Sequence, residues 1–437
     1  MKIHILAIGG TMTTPLALAL KNDGHTVTGS DQKYIYPPFS QNLYHAHIPI
    51  NPKLNSFSPD LVIVGSAFKK FSHTQTEFEF FKNKKTPYIS ATKYIADNLI
   101  KSNSILVAGS YGKTTITAAL SWILTKIGFN PSYFFGGQSK NRFPSLRFSS
   151  SDWSVVEADE SKNGLDTQAK FLYYPVKYLI LTSSRWEHHD SYKSKTENQE
   201  SFIKLIKRLP PDGLLVYNAQ DPSTKSLIKY AQCKSIDYSL YTSKHPFLFG
   251  QHNQNNLAAC VILCLNLGIS PQKTDFYLQK FKGIKRRLEL ISTIKNTYFY
   301  DDFGQNPIRI DACLSALADK FPNQRILVIL EPHASFLQYP NSLKGLGSAL
   351  KKASKVFLGK IQYSQNKNTR TSFSDYQKLL GDKLIYLPLY PDLQNSVLSS
   401  LNPGDVLVHF SSGGLSGLKT FKQIINKFKY QALEIRN

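Results

Sequence analysis

The sequence predicts an α/β protein of three domains, and three observations carry that prediction. Its 437 residues exceed what one ordinary core organises. Short apolar segments alternate with helical ones along the chain. A glycine-containing turn joins an apolar segment to a helix across residues 107–115. The alternation divides into units at 1–101, 102–283 and 284–437, with linkers at Asn98–Asn103 and Lys282–Arg287.

The first unit has strands at Lys2–Ile8, His25–Ser30 and Asp60–Gly65 and a helix at Pro15–Asn22, a doubly wound, Rossmann-like pattern. The apolar opening runs straight into Gly9-Gly10 with no small-residue cleavage site after it, so it reads as a strand and not a leader. The second unit has strands at Ser104–Ala108, Trp153–Glu157, Val176–Thr182 and Gly213–Tyr217. Its helices are Thr114–Ile127 and one containing Asn255–Leu267. The pattern is P-loop ATPase-like, with a mostly parallel sheet. The third unit repeats the Rossmann-like alternation, with strands at Thr297–Tyr300, Arg325–Leu330, Lys355–Leu358 and Asp405–Phe410.

Composition narrows the class. Hydrophobic residues make up 41% of the chain, as in soluble globular proteins, and no apolar run is long enough to cross a bilayer. The formal charge is +23, but the lysines are scattered rather than gathered into a basic arm. That scatter disfavours a nucleic-acid partner and leaves a solvated lysine-rich surface or steering of polyanionic nucleotides as readings of the charge. The four cysteines lack metal-binding spacing; Cys260 and Cys264, four apart on a helix, read as core. A cytoplasmic setting follows.

The chemistry concentrates at the glycine turn. Gly109, Ser110, Tyr111, Gly112, Lys113, Thr114 and Thr115 lie between a strand and a helix N-terminus, where backbone N–H groups cradle an anion. Lys113 reaches terminal phosphates, and the Thr114 hydroxyl is a ligand for Mg²⁺. Val107 stands where the full spacing has its first glycine, so the motif is a shortened one. Glu157, at the end of a strand, supplies a second oxygen ligand for the metal. His188, in the run Glu187-His188-His189-Asp190 after another strand, is a candidate ligand of a second ion.

These segments, in this order, resemble the Mur ligase family. Gly109–Thr115 resembles its G-T-x-G-K-T-T loop, Glu157–Glu160 its E-A-D-E segment, and Gly250–Asn256 its G-x-H-N-x-x-N. Phe281–Glu289 resembles the F-x-G-x-x-R-R-x-E joint before the third domain. The resemblance implies that Asn256 lies near the adenine, that Arg287 and its neighbour Arg286 serve the phosphates or the closed state, and that His188 binds metal. Gly9, Gly10, Thr11 and Met12, with Asp31 and Ser66, resemble the UDP-sugar site of the muramate-binding branch. Tyr36-Pro37-Pro38 is similar to the branch member that recycles murein peptide, rather than to the L-alanine-adding member.

The implied reaction is ATP-dependent. A lactyl carboxylate of UDP-N-acetylmuramate becomes an acyl phosphate, and the amine of a murein peptide displaces phosphate from it. ATP and Mg²⁺ are the implied cofactors, and Lys113, Glu157, His188 and Asp302 the implied catalytic residues. Asp302 is the candidate base for the amine by position alone. A monomer or weak dimer is expected. Departures from the family pattern fall on the amine side. Gln305-Asn306 replace a His-His pair, and Arg185, Glu187, His333 and Ser412 replace other typical residues. They keep open an L-alanine ligase, or a homologue that binds nucleotide-sugar without turnover.

Overall fold

A computed structural model of the chain describes residues 1–54, 57–186, 191–304, 306–332, 337, 343–361, 371–411 and 415–434. Its residues form two compact units, Met1–Leu248 with Asn253–Ile284, and Phe249–His252 with Lys285–Asn437.

The first unit holds two sheets. The N-terminal segment runs β1 (Lys2–Leu6), α1 (Thr13–Asn22), β2 (Thr26–Ser30), α2 (Phe39–His45), β3 (Leu61–Val64), α3 (Ser72–Asn83), β4 (Tyr88–Ser90) and α4 (Ala91–Asn98). Its four strands are parallel in the order β2-β1-β3-β4. The order reverses between β1 and β3, so the loops leaving these two strands open a crevice at the sheet's carboxyl edge.

The central segment runs β5 (Asn103–Ala108), α5 (Lys113–Lys126), β6 (Ser132–Phe134), β7 (Leu146–Arg147), β8 (Trp153–Ala158), β9 (Tyr178–Leu181), α6 (Lys195–Ile206), β10 (Leu214–Tyr217), α7 (Pro222–Lys225), β11 (Lys234–Asp237), α8 (Gln251–Asn266) and α9 (Pro271–Leu278). The sheet order is β11-β10-β9-β5-β8-β6-β7, parallel except for β7. β5 lies mid-sheet and is buried at Ser104–Ala108, which is why it reads as an unbroken apolar run. Helix α5 packs beside it and is buried almost all round from Thr114 to Leu124. Cys260 and Cys264 lie in the core on α8, as free thiols. Ile3 and Ile5 of the first sheet share one apolar cluster with Leu106, Ala108 and Val156 of the second.

The second unit carries β12 (Glu289–Ile294), β13 (Thr297–Asp302), α10 (Pro307–Lys320), β14 (Ile326–Glu331), α11 (Leu346–Ala349), β15 (Lys355–Leu358), α12 (Phe373–Leu380), β16 (Leu384–Tyr386), α13 (Tyr390–Ser400), β17 (Val406–Ser411) and α14 (Leu415–Glu434). The order is β12-β13-β17-β14-β15-β16, parallel except for β12. β13, β17 and β14 are adjacent, and their carboxyl ends carry Asp301-Asp302, His409–Ser411 and Glu331. Among the described residues no helix is long and apolar enough to cross a membrane.

Candidate active site

The turn between β5 and α5 is shaped by two glycines that no other residue replaces freely. Gly109 has φ 122° and Gly112 has φ 76°, both in the region that L side chains rarely enter. A Cβ on Gly109 would stand 2.4 Å from Thr182 Oγ1 and 2.6 Å from the Ser183 carbonyl oxygen. One on Gly112 would stand 2.2 Å from Asn256 Oδ1, so α8 brings Asn256 directly onto the turn. The segment after β9 holds the turn's other side. Ser110 N–H donates to the Ser183 carbonyl at 3.0 Å, the Ser110 hydroxyl to the Arg185 carbonyl at 2.8 Å, and the Thr182 hydroxyl to the Tyr111 carbonyl at 2.6 Å. Thr115 is buried in the first turn of α5. A helix N-terminus entered through such a turn attracts an anion through its dipole and its N–H groups.

Gly109→Ala is therefore expected to weaken binding of a non-hydrolysable ATP analogue by about tenfold or more, since strain and overlap cost about 2 kcal/mol together. Calorimetry that gives the parent affinity for this variant would remove the turn from the nucleotide site.

Lys113, the first residue of α5, folds back over the turn. Its ammonium donates to the Gly109 carbonyl at 2.6 Å and to Glu160 Oε2 at 2.8 Å. Burial disfavours the charge, but Glu160, Asp159 and Glu157 outweigh it and raise the Lys113 pKa above its ordinary value. The site thus keeps a buried cation ready for an anionic partner. Glu160 is the partner sequence reasoning missed, although it ends the same acidic run as Glu157. Thr114 and Glu157 meet as expected: the hydroxyl donates to Glu157 Oε1 at 2.9 Å, and Gly136 N–H donates to Oε2 at 2.6 Å. Two hard oxygen donors side by side at this turn fit Mg²⁺, which they would hold beside a bound phosphate. His188 lies outside the described residues, as do Glu187, Gln305, His333 and Ser412. Among the described residues no three His, Cys, Asp or Glu side chains form a metal-ligating group.

At the first sheet, the loop after β1 carries Gly9, Gly10, Thr11 and Met12, and the loop after β3 carries Ser66. Both open at the switch point between those strands. Gly10 N–H donates to Thr13 Oγ1 at 3.1 Å, Thr11 is exposed, and Met12 packs against the core. Gly164, from the loop after β8, comes so close that a Cβ there would lie 2.6 Å from the Ser66 carbonyl oxygen. The Asp31 carboxylate accepts from Gly9 N–H and Gln32 N–H, each at 2.7 Å, and Asp31 is 4% exposed. Burial raises its pKa although those two bonds oppose the rise. Asp31 fastens the glycine loop to the end of β2.

In the second unit the expected base is also engaged. Asp302 is 1% exposed and accepts from Leu288 N–H at 2.6 Å, from Arg309 Nε at 3.0 Å and from Gly304 N–H. Burial pushes its pKa up to about 6. Its oxygens hold Leu288, Gly304 and Arg309 in place. Arg287 has its guanidinium 5.6 Å from the Phe303 ring. Arg286 turns inward, donating to Asp301 Oδ2 at 2.8 Å and to the Ser411 carbonyl at 2.8 Å.

Comparison with known proteins assigns the three segments. Residues 2–101 match the Mur ligase family catalytic domain, 107–247 the Mur ligase middle domain, and 286–413 the Mur ligase glutamate ligase domain. The UDP-N-acetylmuramate–L-alanyl-γ-D-glutamyl-meso-2,6-diaminoheptandioate ligase of Haemophilus influenzae is 28% identical, over 98% of this chain and 99% of its own length. The UDP-N-acetylmuramate–L-alanine ligase of Pelagibacter ubique is 29% identical over 85% of each chain. The crystal structure of the UDP-N-acetylmuramate-alanine ligase of Thermotoga maritima superposes with a TM-score of 0.78 at 22% identity, covering 99% of this chain and 100% of that one.

Proposed function

We propose, since this chain belongs to the Mur ligase family and is an ATP-dependent carboxylate–amine ligase, that it joins the lactyl carboxylate of UDP-N-acetylmuramate to the amine of L-Ala-γ-D-Glu-meso-diaminopimelate, a step that reuses murein peptide in the cytoplasm. One observation carries the choice of amine. The chain carries Tyr36-Pro37-Pro38, the segment similar to the peptide-recycling branch member, and a peptide-joining relative aligns with it over 98% of this chain and 99% of its own length.

In this reading the nucleotide-sugar sits at the loops carrying Gly9–Met12 and Ser66, and ATP sits on Gly109–Thr115 beside Asn256. The chemical difficulty is that both reactants are anions. The carboxylate attacks the γ-phosphoryl group, ADP leaves, and an acyl phosphate forms. The peptide amine then attacks the acyl carbon and loses a proton, and inorganic phosphate departs. Lys113 and the N–H groups of the turn lower the repulsion of the first step without reorganisation, because they are fixed beforehand. Thr114, Glu157 and His188 would hold Mg²⁺, which when bound supplies further positive charge at the phosphates. Water must be kept from the acyl phosphate, a task for elements that exclude solvent.

The L-alanine reading has its own support in the 29% identity to that enzyme. One assay separates the two: UDP-N-acetylmuramate and ATP with tripeptide or with free L-alanine, and product mass as readout. Tripeptide product at a kcat/KM at least about tenfold above that for L-alanine is expected. The reverse preference would replace the proposal with the L-alanine reading, and no product with either amine would leave a nucleotide-sugar-binding homologue.

A further inference from the structure

One side chain of the second unit stands out by what surrounds it. β17 is an apolar strand, Val406–Ser411, interrupted by His409, which is 1% exposed. His409 pairs in register with Asp301 of β13, and its Nδ1 lies 2.8 Å from Asp301 Oδ1. Its Nε2 lies 3.1 Å from Glu331 Oε2 at the end of β14. Both carboxylates are nearly or fully buried. The other oxygen of Asp301 takes Arg286 Nε at 2.8 Å. Phe421 of α14 stacks on the imidazole, with ring centroids 5.0 Å apart. The same helix presents Gly417, where a Cβ would lie 1.6 Å from Glu331 Oε2, so the carboxylate occupies the place a side chain would fill.

An imidazole with a carboxylate on each nitrogen donates from both only when protonated. The charged groups facing it are Asp301 and Glu331, with Arg286 behind Asp301; together with an imidazolium they sum to zero. Burial works against that charge, but the two carboxylates prevail and push the His409 pKa up to about 9. The quartet therefore ties three strand ends, β13, β17 and β14, and the 286–288 segment into one unit. Those carboxyl ends form the edge at which a doubly wound sheet receives a ligand.

We propose that His409, as an imidazolium, is the positioning residue of the acceptor-amine site, holding the ends of β13, β14 and β17 where the incoming peptide must bind. The proposal rests on the ligase reading given above. It assigns His409 no contact with substrate and no proton transfer; it acts through Asp301 and Glu331. Its signature is selective. The peptide should lose affinity while the first half-reaction, which uses only ATP and UDP-N-acetylmuramate, is spared.

The test compares the full-length parent with His409→Gln, which keeps one hydrogen bond but no charge. The KM for tripeptide is expected to rise at least about tenfold, while the KM for ATP and the acyl phosphate trapped by hydroxylamine change less than about twofold. Equal loss in both half-reactions would reduce His409 to a structural part and overturn the proposal, as would an unchanged KM for tripeptide. Should the variant not fold, the parent alone decides. Its KM for tripeptide, corrected for ionisation of the peptide amine, is expected to climb as pH passes about 9, and a flat profile would overturn the assignment. A parent that makes no tripeptide product at all would be a different failure, that of the ligase reading, and would take the proposal with it.

Discussion

Lys113→Ala is expected to cut ATP-dependent phosphate release by about a hundredfold to a thousandfold, the range found when one preorganised donor to developing charge is lost. The ammonium sits at the mouth of the turn, bonded to the Gly109 carbonyl and to Glu160. The substitution has a second consequence that must be separated from the first. Glu160 is 2% exposed, and removing the Lys113 ammonium breaks one buried ion pair of that carboxylate, a loss that costs about 3–5 kcal/mol in comparable pairs. Lys113→Ala protein can therefore be inactive because it is unstable. Pairing it with Glu160→Gln removes that buried charge: the double variant is expected to regain most of the thermal stability and none of the activity. Parent-rate phosphate release from folded Lys113→Ala protein would show that the turn is not where the triphosphate reacts.

The phosphate turn was legible because its determinants are local: an apolar strand, glycines at fixed offsets and a helix start within nine residues. The central parallel strands were legible for a related reason, since burial on both faces makes them continuous apolar runs. The strands sequence reasoning passed over lack that signal. β4, β6, β7 and β16 have two or three residues each, and β11 is a four-residue edge strand with Lys234, Ser235 and Asp237 around one isoleucine. β12 runs antiparallel at a sheet edge with a register shift between Leu290 and Ser292, so its apolar alternation is broken.

Side-chain partners were harder still. Lys113 and Glu160 lie 47 positions apart, and only the sheet order brings β5 and β8 together. Asp31 and Asp302 were placed correctly at strand ends, but position does not say which backbone N–H groups a turn will leave for a carboxylate to satisfy. In both cases the carboxylate accepts from backbone N–H groups that the sequence does not point to. His409 was invisible for the opposite reason. A single histidine in an apolar strand resembles any core histidine until the two flanking strands are seen to place an acid against each of its nitrogens.

Asp301→Asn is expected to destabilise the second unit by about 3–5 kcal/mol, the cost of breaking a buried ion pair on one side. Asp301 is fully buried and accepts from both Arg286 and His409. The neutral amide would leave two cations facing Glu331 alone. The pH dependence gives the sharper check. Burial tends to raise the Asp301 pKa, but His409 and then Arg286 outweigh it and hold the carboxyl below its ordinary value. Its contribution is therefore present above the ordinary carboxylate range and is lost as pH falls through the depressed value. His409 behaves in the opposite sense. With its pKa raised from 6.5 to about 9, the stability it lends is full below 6.5 and disappears as pH rises through about 9. At about 1.4 kcal/mol per pH unit this amounts to on the order of 3 kcal/mol.

Urea melts of the parent should show that alkaline loss. In Asp301→Asn, where His409 keeps one carboxylate instead of two, the loss should begin at lower pH. Parent melts that superimpose from about pH 6 to about pH 10 would mean that His409 is neutral in the folded protein. Its two carboxylate contacts would then have to be held by a proton on one of the acids, and the charge balance that makes the quartet a rigid tie between three strands would no longer exist.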